Sequence, residues 1–178
     1  MRRSFPRVLT LAAALLVAGA ATGHAQKAHV HGLAWADVAV DGALIEISLR
    51  ATAYDLVGFE RAPRDADERA KVEGARALML DHARLWHFNS AAGCVADAPV
   101  LEAPAEPAEA SADSGSSHVD WQVRYRFTCA NPQALMAIDA ELFSALPSLE
   151  TLQVQLLDGV GARGVELSPG SRRIDLSQ

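Results

Sequence analysis

The sequence predicts a single α+β domain of mostly antiparallel β-strands with two helices, read as two similar ββα-type halves either side of a disordered insertion. Three observations carry that prediction. Long segments alternate apolar and polar residues with period 2, the mark of a strand with one buried and one wet face. Two other segments open on helix-start residues and continue with apolar residues at helical spacing. Between them, "DAPVLEAPAEPAEASADSGSS" (97–117) shows no period and is rich in Pro, Ala, Glu and Ser.

Residues 1–25 read as a signal peptide. Arg2, Arg3 and Arg7 make a basic opening, and the apolar run that follows is too short to span a bilayer. Gly23 and Ala25 then supply small residues for cleavage before Gln26. The expected product is exported, with no membrane insertion once the signal is removed. The first half, 26–96, begins with Ala34, Ala36, Val38 and Val40 on one strand face and His29, His31, Leu33 and Trp35 on the other. Asp41-Gly42 marks a hairpin, because the favoured tight turn needs positive φ. The return strand "LIEISLRATAY" points Ile45, Ile47, Leu49, Ala51 and Ala53 inward. After Gly58 and Pro63 a helix is expected from Asp65 to Leu80, with Asp65, Asp67 and Glu68 at the end where the helix dipole favours acids.

The insertion at 97–117 is too poor in large apolar groups to offset its ordering entropy. The second half, 118–178, opens on "HVDWQVRYRFTC", whose Val119, Trp121, Val123, Tyr125, Phe127 and Cys129 share the buried side. Asn131 as N-cap, Pro132 in the first helical position and an apolar stripe of Leu135, Ile138 and Leu142 predict the second helix, ended by Pro147. "TLQVQL" then places Leu152, Val154 and Leu156 on one face. A hairpin loop at Asp158 to Gly161 leads to a short strand around Val165 and Leu167.

Composition narrows the partners. Without residues 1–25 the chain keeps 13 basic and 22 acidic residues, a formal charge of −9. That balance argues against nucleic acid and anionic membrane surfaces. Cys94 and Cys129 are the only cysteines. In an oxidising compartment an even pair reads as one disulfide. The competing reading, a zinc site of two cysteines and two histidines, lacks any close Cys-x-x-Cys pairing.

Enzyme signatures are missing: the chain has no glycine-rich phosphate loop, no Gly-x-Ser-x-Gly elbow and no His-Glu-x-x-His helix, so no catalytic residue is nominated. The histidines offer more. On a strand, residues i and i+2 lie about 6.5–7 Å apart on one face, within reach of a shared ion. "HVH" (29–31) and "HVD" (118–120) both have that spacing, so His29, His31, His118 and Asp120 enclose one cation if their strands are neighbours. The plainer reading of a His-x-His near a chain end is an exposed polar segment. His82 and His87 read as a helix-end cation and a surface tip. Glu60, in "GFERAP", reads either as a turn residue bonding local amides or as a further ligand.

Taken in order, "HVHG", "LVGFERAP", "AAGC", "HVDWQVRYRFTC" and "LETLQVQL" resemble the ZrgA-like family of periplasmic zinc-binding proteins. The resemblance implies reversible binding of zinc by His29, His31, Glu60, His118 and Asp120. It further implies a role in zinc acquisition, with an ABC-type zinc importer or its binding protein as the partner. Three departures stand out: Val30 and Arg61 replace an acid and a histidine common in the family, and its histidine-rich insertion is here without histidine. The rival reading is a metal-free interaction module of the cell envelope.

Overall fold

The structure is a computed structural model and describes residues 31–102 and 120–176. The expected signal peptide, His29, His118 and most of the expected insertion lie outside the described residues. In chain order the elements are β1 (Leu33–Asp41), β2 (Leu44–Thr52), α1 (Ala53–Val57), α2 (Ala66–Leu80), α3 (His82–Leu85), β3 (Trp86–Phe88) and β4 (Cys94–Ala96). They continue with β5 (Val100–Glu102), β6 (Asp120–Cys129), β7 (Ala137–Ala140), α4 (Leu142–Ala145), β8 (Thr151–Asp158), β9 (Gly161–Leu167) and β10 (Arg173–Asp175).

The alternating segments pair into one seven-stranded sheet of order β4-β6-β2-β1-β8-β9, with β5 also on β6. Every pairing in it is antiparallel except β1 with β8. One face is the core: Ala34, Ala36, Val38, Ile45, Ile47, Leu49, Trp121, Val123, Tyr125, Leu152, Val154 and Leu156 are all buried. Against it pack Ala75 and Met79 of α2, Leu85 of α3, and a small antiparallel sheet of order β10-β7-β3 with Ile138 and Ile174. The cover is pinned to β6, where the Tyr125 hydroxyl donates to the Met79 carbonyl at 2.6 Å and Trp86 meets the Tyr125 ring edge-on. The architecture is therefore the expected single α+β domain. No helix among the described residues is long and apolar enough to cross a membrane.

Several elements differ from the sequence reading. The β1–β2 turn is Gly42-Ala43, one residue later than expected, with Gly42 at φ 56°. Ala53 starts α1 instead of ending β2. The second predicted helix is absent: Pro132–Ala134 is a single 3-10 turn, Ala137–Ala140 is β7, and only Leu142–Ala145 is α-helical. Asn131 makes no side-chain cap bond there. Pairing of β7 with β3 on one side and β10 on the other outweighs its weak strand propensity. Within the expected insertion, Val100–Glu102 is a strand on β6. The two halves do not form separate ββα units, since β6 pairs with β2 and β8 with β1. Cys94 and Cys129 face each other across β4 and β6 and form the disulfide.

Candidate functional site

Thr52-Ala53-Tyr54-Asp55 turns the end of β2 into α1. Thr52 caps the helix, its hydroxyl oxygen accepting from the Asp55 N–H at 3.2 Å. Gly58, at φ 85°, ends α1 in the left-handed conformation that glycine adopts without strain. Asp55 is buried at 6 % exposure, and a buried carboxylate needs donors. Its Oδ1 accepts from the Gly32 N–H at 2.8 Å and its Oδ2 from the Thr52 hydroxyl at 2.9 Å. The Ser148 hydroxyl donates to the Asp55 carbonyl at 2.9 Å.

This arrangement explains the glycine of "HVHG". Gly32 has φ 77°, and a Cβ there would lie 3.2 Å from both the Ser148 carbonyl oxygen and Glu150 Cγ. Its own carbonyl accepts from the N–H groups of Glu150 and Thr151 at 2.8 and 2.9 Å. His31 is thereby lifted off the strand. The expectation that it extends the face of β1 is corrected: β1 starts at Leu33, and the positive φ of Gly32 bends the chain ahead of it. The His31 ring lies against Tyr54 instead, with centroids 3.9 Å apart and planes tilted by 46°.

Asp120, the first residue of β6, sits directly opposite Thr52. Glu60 lies three residues beyond the end of α1. Asp120 Oδ1 and Glu60 Oε1 are both shielded from solvent. A five-residue helix is only about 7.5 Å long. One short helix thus organises three of the candidates, with His31 against its side, Asp120 across from its cap and Glu60 past its end. Among the described residues, no three His, Cys, Asp or Glu side chains converge closely enough to hold a metal ion. His29 and His118, the other two candidates, are outside the described residues.

The loop carrying Glu60 is folded around Glu68. Arg61 donates both Nη atoms to its carboxylate at 2.7 Å, and Arg64 adds its Nη2 at 2.9 Å and its backbone N–H at 2.8 Å. Bonds from Arg61 first, then Arg64, hold the Glu68 carboxyl far below the usual carboxylate range. The other histidines have local structural partners: His87 Nε2 donates to the Ala83 carbonyl at 2.8 Å, and His82 meets the Phe127 ring edge-on. The disulfide rules out the site of two cysteines and two histidines. A trough of about 630 Å³ crosses the wet face of the large sheet, lined by Asp37, Glu46, Arg124, Arg126 and Leu157 among others, but no histidine lines it.

Thr52, Tyr54 and Asp55 were not singled out by the sequence reading. The available signal was the Thr-x-x-Asp spacing of a helix cap, masked by the alternation that runs up to it. Residues 28–176 match the sequence profile of a family described as "ZrgA family zinc uptake protein". No curated protein matches the chain.

Proposed function

The chain belongs to the ZrgA family of zinc uptake proteins, and from that premise we propose that it binds one zinc ion reversibly and hands it to an importer. Zinc here is cargo, not a resident cofactor. The proposed ligands are His31, Asp120 and Glu60, which border α1 but do not by themselves converge on one point, completed by His29 and His118, each two residues away in sequence from His31 or Asp120. Imidazole and carboxylate are the donors zinc takes from a reversible protein site in an oxidising compartment, where free thiolates do not persist. The carrying observation is the bonded path from Gly32 through Asp55 to Thr52, which faces Asp120. It links two motifs distant in sequence to one helix.

The compartment is the periplasm, a reading supported by the disulfide and the basic-then-apolar start of the chain. The partner is an ABC-type zinc importer or its binding protein. The protein acts as a carrier, not an enzyme. Calorimetric titration with zinc, comparing wild type with a His29→Ala/His31→Ala/His118→Ala variant, tests the site. The expected result is tight binding by the first and a large loss in the second. Equal affinities remove these ligands, and a melting temperature indifferent to chelator favours a metal-free interaction module.

A further inference from the structure

Glu60 is followed at once by a guanidinium. Arg61 adjoins a proposed ligand and Arg64 lies three residues further on, so the loop carries two cations beside a site meant for a third. A unit positive charge about 10 Å from a dication, unscreened in a water-like dielectric, weakens its binding about fourfold. Closer approach does more: a guanidinium paired with a carboxylate occupies the oxygens that a metal needs. A chain that keeps arginine at 61 must put that charge somewhere.

The structure shows where it goes. Arg61 meets Glu68 fork to fork, both bonds 2.7 Å, and Arg64 adds two more bonds to the same carboxylate. The Glu68 side chain is only 12 % exposed, although its partners reach solvent at 39 % and 70 %. Arg61 is held further by a bond to the Ala62 carbonyl at 3.1 Å and by the Phe59 ring, 4.8 Å below its guanidinium. Glu68 also sits in the first turn of α2, where the helix terminus favours an anion.

We propose that Glu68 is a positioning residue for zinc binding: by drawing Arg61 and Arg64 onto its carboxylate, it keeps their charges from competing with the metal for Glu60. The proposal rests on the zinc-binding reading above and adds to it a residue that touches no metal. Glutamine at 68 preserves shape but removes the charge that both arginines follow. Arg61 is then released toward Glu60.

The test is calorimetric titration of zinc into the mature chain as wild type, Glu68→Gln, Glu68→Gln/Arg61→Ala and Arg61→Gln. Each is run at low ionic strength and at 0.15 M salt, where the Debye length is about 8 Å. Glu68→Gln is expected to weaken binding about fourfold or more at low salt, less at 0.15 M. Adding Arg61→Ala is expected to restore affinity to within about twofold, and Arg61→Gln alone to bind at least as tightly as wild type. An unchanged affinity in Glu68→Gln, a loss that Arg61→Ala does not rescue, or weaker binding by Arg61→Gln each overturns the proposal. If Glu68→Gln does not fold, Arg61→Gln alone decides. Wild type that takes no zinc removes the zinc-binding reading itself and this proposal with it, an outcome distinct from the other three.

Discussion

Replacing Asp55 with alanine removes the acceptor for two bonds, from the Gly32 N–H at 2.8 Å and from the Thr52 hydroxyl at 2.9 Å, in a place with 6 % exposure. Hydrogen bonds to a charged acceptor contribute about 1.5–3 kcal/mol each, and a buried N–H left without a partner costs about 1–3 kcal/mol. The Thr52 hydroxyl still accepts from the backbone N–H of residue 55, so part of its capping role survives. The expected loss for Asp55→Ala is about 3–4 kcal/mol, a large share of a domain stability of about 5–15 kcal/mol. Asp55→Asn is milder, about 1–2 kcal/mol, because its amide oxygen still accepts from Gly32 while its NH2 meets a hydroxyl already engaged by a donor. Urea denaturation of the three proteins, analysed with a common m-value, gives both numbers. A cost below about 1 kcal/mol for alanine, or an asparagine variant as damaged as the alanine one, refutes the assignment of Asp55 as the link between the His31 turn and α1.

Gly32→Ala is expected to cost about 2–3 kcal/mol by thermal melting, since φ 77° disfavours any side chain and the new Cβ presses on Ser148 and Glu150 at 3.2 Å. Cys94→Ala/Cys129→Ala reopens a loop with a sequence separation of 35 and is expected to lower stability by about 4 kcal/mol. Reductant on wild type should produce the same drop. Tyr125→Phe strips the donor from the Met79 carbonyl in the core, for about 1–2 kcal/mol by chemical denaturation. Zinc bound by neutral imidazole competes with protons. Affinity measured by titration at a series of pH values is therefore expected to fall as the solution is made acid.

The sequence displayed the large sheet because most of its strands have one face on the core. Alternation in β2, β6 and β8 names the inward residues correctly, from Ile45 and Ile47 to Leu152 and Val154. Where structure depends on distant partners, the pattern misleads. Leu135, Ile138 and Leu142 have helical spacing and are all buried, yet Ile138 lies on a strand made by β3 and β10, each only three residues long. Val100–Glu102 likewise becomes a strand because β6 offers it an edge, within a stretch whose composition argues for none. The candidate ligands were nominated on residue types and i, i+2 spacings, and only His31, Glu60 and Asp120 of them fall on described residues. Where those residues lie in space was not legible: that Asp120 faces Thr52 is a matter of register between strands with a separation of 68 residues.

The same bonds hold the fold and the turn that carries the proposed ligand His31, and the two contributions are separable by experiment. The Thr52–Asp55 bonds are local to the cap of α1, whereas the Gly32–Asp55 bond crosses from the turn before β1. If Asp55 acts mainly on global stability, its variants unfold more easily yet bind zinc with unchanged affinity while folded. If it acts on the His31 turn, the native state itself loosens. Affinity then falls by the fraction of molecules in which the turn is still formed. Zinc that binds only the folded chain adds about 2.7 kcal/mol of stability at a hundredfold excess over its Kd. The increment at fixed zinc shrinks in the second case and not in the first. The Gly32 bond reaches across to a turn that Tyr54, Glu150 and Thr151 also contact. It is the only one of the three bonds with His31 directly beside it in the chain, so the reduced increment is the expected result.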